Sequence, residues 1–213
     1  MKYVTIIITF LLFSCGKKED VLLPKSNVSI VKDVQDHSPI YIFFKTEGKD
    51  TIADVNRKNS IISTNWIFNI DKRLPLNLVI PEVIKLQNKK RADSAHKNEN
   101  AQNYYSYADD TRKNLAFFPF TKVYYEMGKP SLGDFHIRFK KGGRILFFEQ
   151  NDFPKDRLED LLNNLNAEHE TEIIFSFDKN MSYDEYIRNK ILIEELKISK
   201  KEIWINHEKE FIY

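Results

Sequence analysis

The chain has one cysteine, Cys15, in 213 residues. No disulfide can form within it, so an exported fold would have to be held by its apolar core alone. It has no Gly-x-Ser-x-Gly elbow and no P-loop, which removes the local signatures of esterase-type and nucleotide-phosphate chemistry. The five histidines, His37, His96, His136, His169 and His207, form no HExxH or other i, i+4 pair, so no metal and no cofactor is expected. Neither sign of charge dominates: 33 Lys and Arg stand against 31 Asp and Glu, interspersed, for a net +2. A nucleic-acid partner is not expected, because the basic stripe it requires is missing. Long hydrophobic runs are also lacking. The Tyr3–Phe13 stretch is too short for a membrane span, which needs roughly 20 residues.

What is present begins at that stretch. Lys2, the short apolar centre and Ser14 before Cys15 describe a secretory signal peptide. Leu12-Phe13-Ser14-Cys15 resembles the lipobox of bacterial lipoproteins, in which the cysteine is acylated and becomes the new N-terminus. The resemblance implies a signal peptide over 1–14, lipidation at Cys15 and the membrane as a partner through two or three acyl chains, which hold far better than one. No cysteine is then left as a nucleophile. Gly16-Lys17-Lys18-Glu19-Asp20 resembles the surface-export signal of some Gram-negative lipoproteins. The implied address is the cell envelope, at the outer membrane, on its surface or its periplasmic face. Residues 15–38, with Pro24, read as a polar tether.

The 16 Phe and 10 Tyr can build a core without disulfides. Residues 39–130 read as a β-rich half with strands at Ile40–Phe44, Ile61–Ile70 and Leu115–Phe120, a helix from Pro81, and a polar insertion over 87–103. Residues 131–213 are more regular. Phe135, Ile137 and Phe139 alternate with His136, Arg138 and Lys140 on a wet face, and Gly142-Gly143 turns the chain into Arg144–Glu149. Pro154 opens a leucine-striped helix, Glu172–Phe177 is a strand covered on both faces, and Ser182-x-x-Glu185 is a capping box before a second helix. A strand at Glu202–Ile205 follows. The order is ββαβαβ and the fold class is α+β: two layers, a mixed β-sheet with helices packed on one face.

From Gly143 onward these parts resemble the periplasmic domain of the ExbD/TolR family. The segments that carry the likeness are Arg144-Ile-Leu-Phe-Phe, Pro154-Lys-Asp-Arg-Leu158, Glu172-Ile-Ile-Phe-Ser-Phe-Asp178, Met181-Ser-Tyr-Asp-Glu-Tyr186 and Ile203-Trp-Ile205. Phe177-Asp178 and Tyr183 sit where the family carries Ala-Asp and a helix-heading tyrosine. The resemblance implies a soluble module that pairs with itself and contacts envelope proteins or cell-wall material. The family's proton-coupling helix has no counterpart, since Tyr3–Phe13 carries no acid.

No catalytic residue is assigned. Tyr104, Tyr105, Tyr107, Tyr124 and Tyr125 form an aromatic surplus that could serve as an interface or complete the core. Asp109-Asp110 behind them reads as a solvated loop. Two functions stay open: a non-catalytic binding or scaffold module, with self-association among its options, or a surface hydrolase or glycan-handling protein whose site is built from dispersed carboxylates.

Overall fold

The computed structural model describes residues 20–92, 98–130, 135–147, 151–167 and 169–213. Residues 1–19, with Cys15 and the expected leader, and His96 lie outside the described residues. The elements run β1 (Lys25–Ser26), β2 (His37–Glu47), β3 (Asp50–Asn56), β4 (Asn65–Ile70), α1 (Leu76–Ala92), β5 (Asn103–Asp109), β6 (Asn114–Pro119) and β7 (Tyr124–Met127). They continue as β8 (Phe135–Lys140), β9 (Arg144–Phe147), β10 (Asn151–Pro154), a 3-10 turn at Lys155–Arg157, α2 (Leu158–Asn164), β11 (Thr171–Phe177), α3 (Tyr183–Glu194) and β12 (Ile203–Ile212). The fold is α+β with mixed sheets and helices packed against them. One six-stranded sheet runs β1-β5-β4-β2-β3 with β6 beside β5, and the other runs β10-β9-β8-β11-β12-β7. Among the described residues no helix is long and apolar enough to cross a membrane.

The two sheets share one plan. An antiparallel hairpin is followed by a strand parallel to the hairpin's first arm, then a helix, then a further parallel strand. The order β3-β2-β4-β5 in the first unit is matched by β9-β8-β11-β12 in the second. Backbone bonds repeat with it. Asp71 N–H donates to the Ile42 carbonyl (3.0 Å), and Asp178 N–H to that of Phe139 (2.9 Å). Leu74 N–H reaches the Asp71 carbonyl and Met181 N–H that of Asp178. The carboxylates of Asp71 and Asp178 each accept the backbone N–H two residues on. With the chain set against itself on these equivalences, six of the 22 positions Trp66–Gln87 and Ile173–Glu194 are identical, among them Asp71-Lys72 with Asp178-Lys179.

The units clasp each other about a local two-fold axis at Pro75 and Ser182, which form an antiparallel bridge. Leu76 N–H donates to the Met181 carbonyl and Tyr183 N–H to that of Leu74; Asn77 N–H donates to Lys179 and Asp184 N–H to Lys72. A helix's first N–H groups have no partner of their own, and here each unit caps the other's helix. This explains where α1 begins. The sequence places its start at Pro81, but the carbonyls from the second unit draw it back to Leu76, leaving Pro81 inside the helix. Pro81 forgoes one bond, to the Asn77 carbonyl. The buried stripe Leu76, Val79, Ile80, Val83 and Leu86 follows helical spacing and joins one core shared by both units.

Other expectations change for equally local reasons. Residues 20–38 are not a free tether. β1 pairs with Ala108 and Asp109, Val31 bridges Phe117, and Val34 packs with Ile67 and Phe117 on the sheet face opposite α1. The strand expected from Ile61 begins at Asn65. In the polar insertion, α1 continues to Ala92 because Gln87 and Lys90 are buried there. Only one arm of the capping box forms: Ser182 Oγ accepts the Glu185 N–H. Glu185 Oε1 accepts instead from the N–H groups of Gly142 and Gly143 (2.9 and 2.8 Å). Both glycines have positive φ, so the β8–β9 turn presents its amides to α3. His136 is half-buried, edge-on to Phe211, and not on a wet face.

Asp71, at the hinge of the clasp, is fully buried. It accepts from Arg73 Nε (2.8 Å), Arg73 Nη2 (2.7 Å) and the N–H groups of Arg73 and Leu22. Burial pushes its carboxyl up, but the bonds from Arg73 and Leu22 outweigh it and hold the pKa below the usual aspartate value. A depressed folded-state pKa contributes stability above the unfolded pKa of about 3.9, lost as pH falls through the folded value. Asp71→Asn is therefore expected to lower stability at pH 7 by about 1–3 kcal/mol. Below pH about 4 the gap between variant and wild type should close, as read from Tm against pH.

Candidate functional site

The five tyrosines named as a candidate interface part ways in the fold. Tyr105 and Tyr107 are fully buried and Tyr125 nearly so. Tyr104 is half-buried, edge-on to Phe117. Tyr124 is exposed, with the Arg91 guanidinium 4.1 Å from its ring centre. Three of the five are thus core residues, and they do not form one exposed patch. Tyr107 pins the N-terminal segment: its hydroxyl donates to the Val28 carbonyl (3.0 Å) and accepts from Ile30 N–H (2.9 Å). Asp109, expected in a solvated loop, is buried as well. It accepts from Ser29 Oγ (2.5 Å) and from the N–H groups of Thr111 and Arg112.

The buried tyrosines belong to a polar chain that crosses between the units. Tyr105 on β5 shares a hydrogen bond with Tyr125 on β7 (2.8 Å), and Tyr125 with Tyr186 on α3 (3.3 Å). The Tyr186 hydroxyl donates to Glu210 Oε2 on β12 (2.8 Å), and Lys190 Nζ on α3 donates to Glu210 Oε1. Lys190 and Glu210 are buried, 5% and 2% exposed. Burial drives the phenol pKa values of Tyr105, Tyr125 and Tyr186 well up, and the Glu210 charge adds to this in each. All three keep their protons near neutrality and act as fixed donors and acceptors.

A cleft of about 280 Å³ reaches Lys190, with Gln102, Phe120, Glu194 and His207 on its walls. Burial, and then the Lys190 charge, lower the His207 pKa, so its ring is neutral at pH 7. The cleft contains no activated nucleophile. The Lys190 ammonium is bound to Glu210, and the tyrosines are held protonated. The chain of groups ties Tyr105 of the first unit to Tyr186, Lys190 and Glu210 of the second.

Comparison of the units shows how unusual the pair is. Lys190 falls where the first unit has Val83, and Glu210 falls where it has Tyr105. One copy of the plan closes with an apolar and an aromatic side chain, the other with opposite charges. Sequence reasoning passed over Tyr186, Lys190 and Glu210. The available signal was a lysine inside the apolar stripe of α3, between Ile187 and Ile191.

At the far end of α1, Lys90 Nζ donates to the carbonyls of Thr64 and Gln102 and to Asn103 Oδ1, and lies 4.9 Å from the Trp66 ring centre. Burial pulls its pKa down to about 8. With all three donors engaged it fastens α1 to β4 and β5. Among the described residues no group of His, Cys, Asp and Glu could hold a metal ion. No protein-family model, no curated protein and no solved structure matches the chain.

Proposed function

We propose that the chain is an envelope lipoprotein, anchored through acylated Cys15, that works as a non-catalytic binding scaffold. In this reading it is the fused counterpart of the self-pairing soluble module of ExbD/TolR proteins, without their proton-coupling helix. The observation that carries the proposal is the reciprocal clasp at Pro75 and Ser182, where two units of one plan cap each other's helices. A module that pairs with itself gains from fusion, because the second unit is then held at a fixed effective concentration. Among the described residues the buried acids Asp71, Asp109 and Glu210 each hold hydrogen-bond partners. Two carboxylates on the surface clefts are paired as well, Asp110 with Lys25 (3.0 Å) and Asp184 with Arg188 (2.7 Å). Two acids left to act on a glycosidic bond would need the opposite arrangement.

The test is fractionation of the full chain from a Gram-negative host. The wild type should sediment with membranes, resist salt washing and need detergent for release, and Cys15→Ala should lose that retention. Crosslinking in the intact envelope should capture a discrete partner that the displaced variant no longer reaches. A soluble wild type with a free thiol, or the absence of any discrete crosslink, overturns the reading.

A further inference from the structure

A second cleft, of about 630 Å³, lies where the N-terminal segment of the first unit meets α3 of the second. Its walls carry four cations: Lys25 on β1, Lys72 after β4, Lys155 in the 3-10 turn and Arg188 on α3. Asp110 holds Lys25 and Asp184 holds Arg188. Lys72 and Lys155 have no carboxylate within 4 Å among the described residues. Lys155 is half-buried and its ammonium reaches only a neutral acceptor, Asn189 Oδ1, at 3.1 Å. Glu195 lines the cleft as well, so three carboxylates stand against four cations and the walls keep an excess of one positive charge.

The two units also differ at this cleft. Across the two-fold axis, Arg188 corresponds to Pro81 and Asp184 to Asn77. β10, the 3-10 turn and α2 lie between hairpin and parallel strand in the second unit, and the first unit has no such elements there. Lys72 belongs to the shared plan, with Lys179 as its counterpart, and Lys25 lies on β1, which stands beside β5 as β7 stands beside β12. Lys155 comes from an addition and Arg188 from a substituted position.

We infer that this cleft binds a phosphoryl group, a phosphomonoester or phosphate dianion, through Lys72, Lys155 and Arg188, with Lys25 at its rim. A dianion suits several cations better than a carboxylate does, and phosphates carry about −1.5 to −2 charge at pH 7. The guanidinium fork matches phosphate oxygens. The volume falls in the range of small-molecule sites, about 300–1,000 Å³, so the group's organic part also fits. Burial, and then the Arg188 charge, lower the Lys155 pKa, against the smaller opposing pull of the Glu185 and Asp184 charges. Binding would reverse that shift.

The test is titration of the full chain, in a neutral detergent, with inorganic phosphate and with glycerol phosphate as a soluble lipid-headgroup probe, followed calorimetrically. Saturable binding of either, weakened about tenfold by Lys155→Gln and again by Arg188→Gln, supports the site. Tighter glycerol phosphate identifies a headgroup source, and equal or tighter inorganic phosphate a free one. Lys122→Gln, an exposed charge outside the cleft, should leave binding unchanged, and Lys72→Gln serves if either cleft variant alters the far-UV spectrum. No saturable binding of either probe, or binding equal in wild type and cleft variants, overturns the inference.

Discussion

Lys190→Met is expected to cost the fold about 3–5 kcal/mol, the usual consequence of leaving one buried ion without its partner. Glu210 would keep only the Tyr186 hydroxyl at 2.8 Å, in a site where it is 2% exposed. The double variant Lys190→Met/Glu210→Leu should recover most of that loss. Replacing both charges removes the desolvation penalty together with the attraction, and such exchanges are often neutral or stabilising. The first unit is a natural precedent, since it holds Val83 and Tyr105 at the matching places. Urea midpoints at pH 7 for both single variants and the double variant give the coupling between the two sites. A Lys190→Met midpoint equal to the wild type would mean that Glu210 is solvated and the polar chain is not closed.

Removing the first unit should have a larger effect. A fragment of residues 122–213 keeps every strand of the second sheet, yet it is not expected to fold. Met181, Tyr183 and Tyr186 have no exposed surface in the whole chain. Tyr105 from the first unit lies edge-on to both tyrosines, with ring centres 5.7 and 6.3 Å apart. A buried ring withdraws about 150–250 Å² from water. At about 25 cal/mol per Å², even partial uncovering of these side chains forfeits several kcal/mol, against a total stability of roughly 5–15 kcal/mol for a whole domain. The N–H groups of Tyr183 and Asp184 would also lose the Leu74 and Lys72 carbonyls. The fragment should show no cooperative thermal transition, and adding residues 1–121 in trans should restore one. A fragment that melts cooperatively alone would show that the units are independent.

Much of the fold is legible in the sequence wherever the determining interactions are local. The strand Phe135–Lys140, the Gly142-Gly143 turn, the apolar run before Asp178 and the Ser182 cap depend on neighbours a few residues away, and each lies where expected. The start of α1 was not legible, because its capping carbonyls come from residues near 180. The packing of residues 27–36 depends on Phe117 and Tyr107, equally remote. Tyr105, Tyr107 and Tyr125 look like surface aromatics in a polar stretch until β5 and β7 are placed against α3. The shared plan of the two units shows only faintly in the sequence, as two Asp-Lys pairs each followed by a helix. With six identities in 22 positions, the units share apolar pattern more than residue identity. The ion pair of Lys190 and Glu210 joins two elements that no spacing rule connects.

The reciprocal clasp also sets an order of events during synthesis. Leu76 leaves the ribosome roughly a hundred residues before the Met181 carbonyl that receives its amide proton. At about 5–20 residues per second, the first helix waits several seconds or more with its leading turn unsupported. For that interval the amides of its first turn have no partner, and the clasp closes only when the last third of the chain arrives.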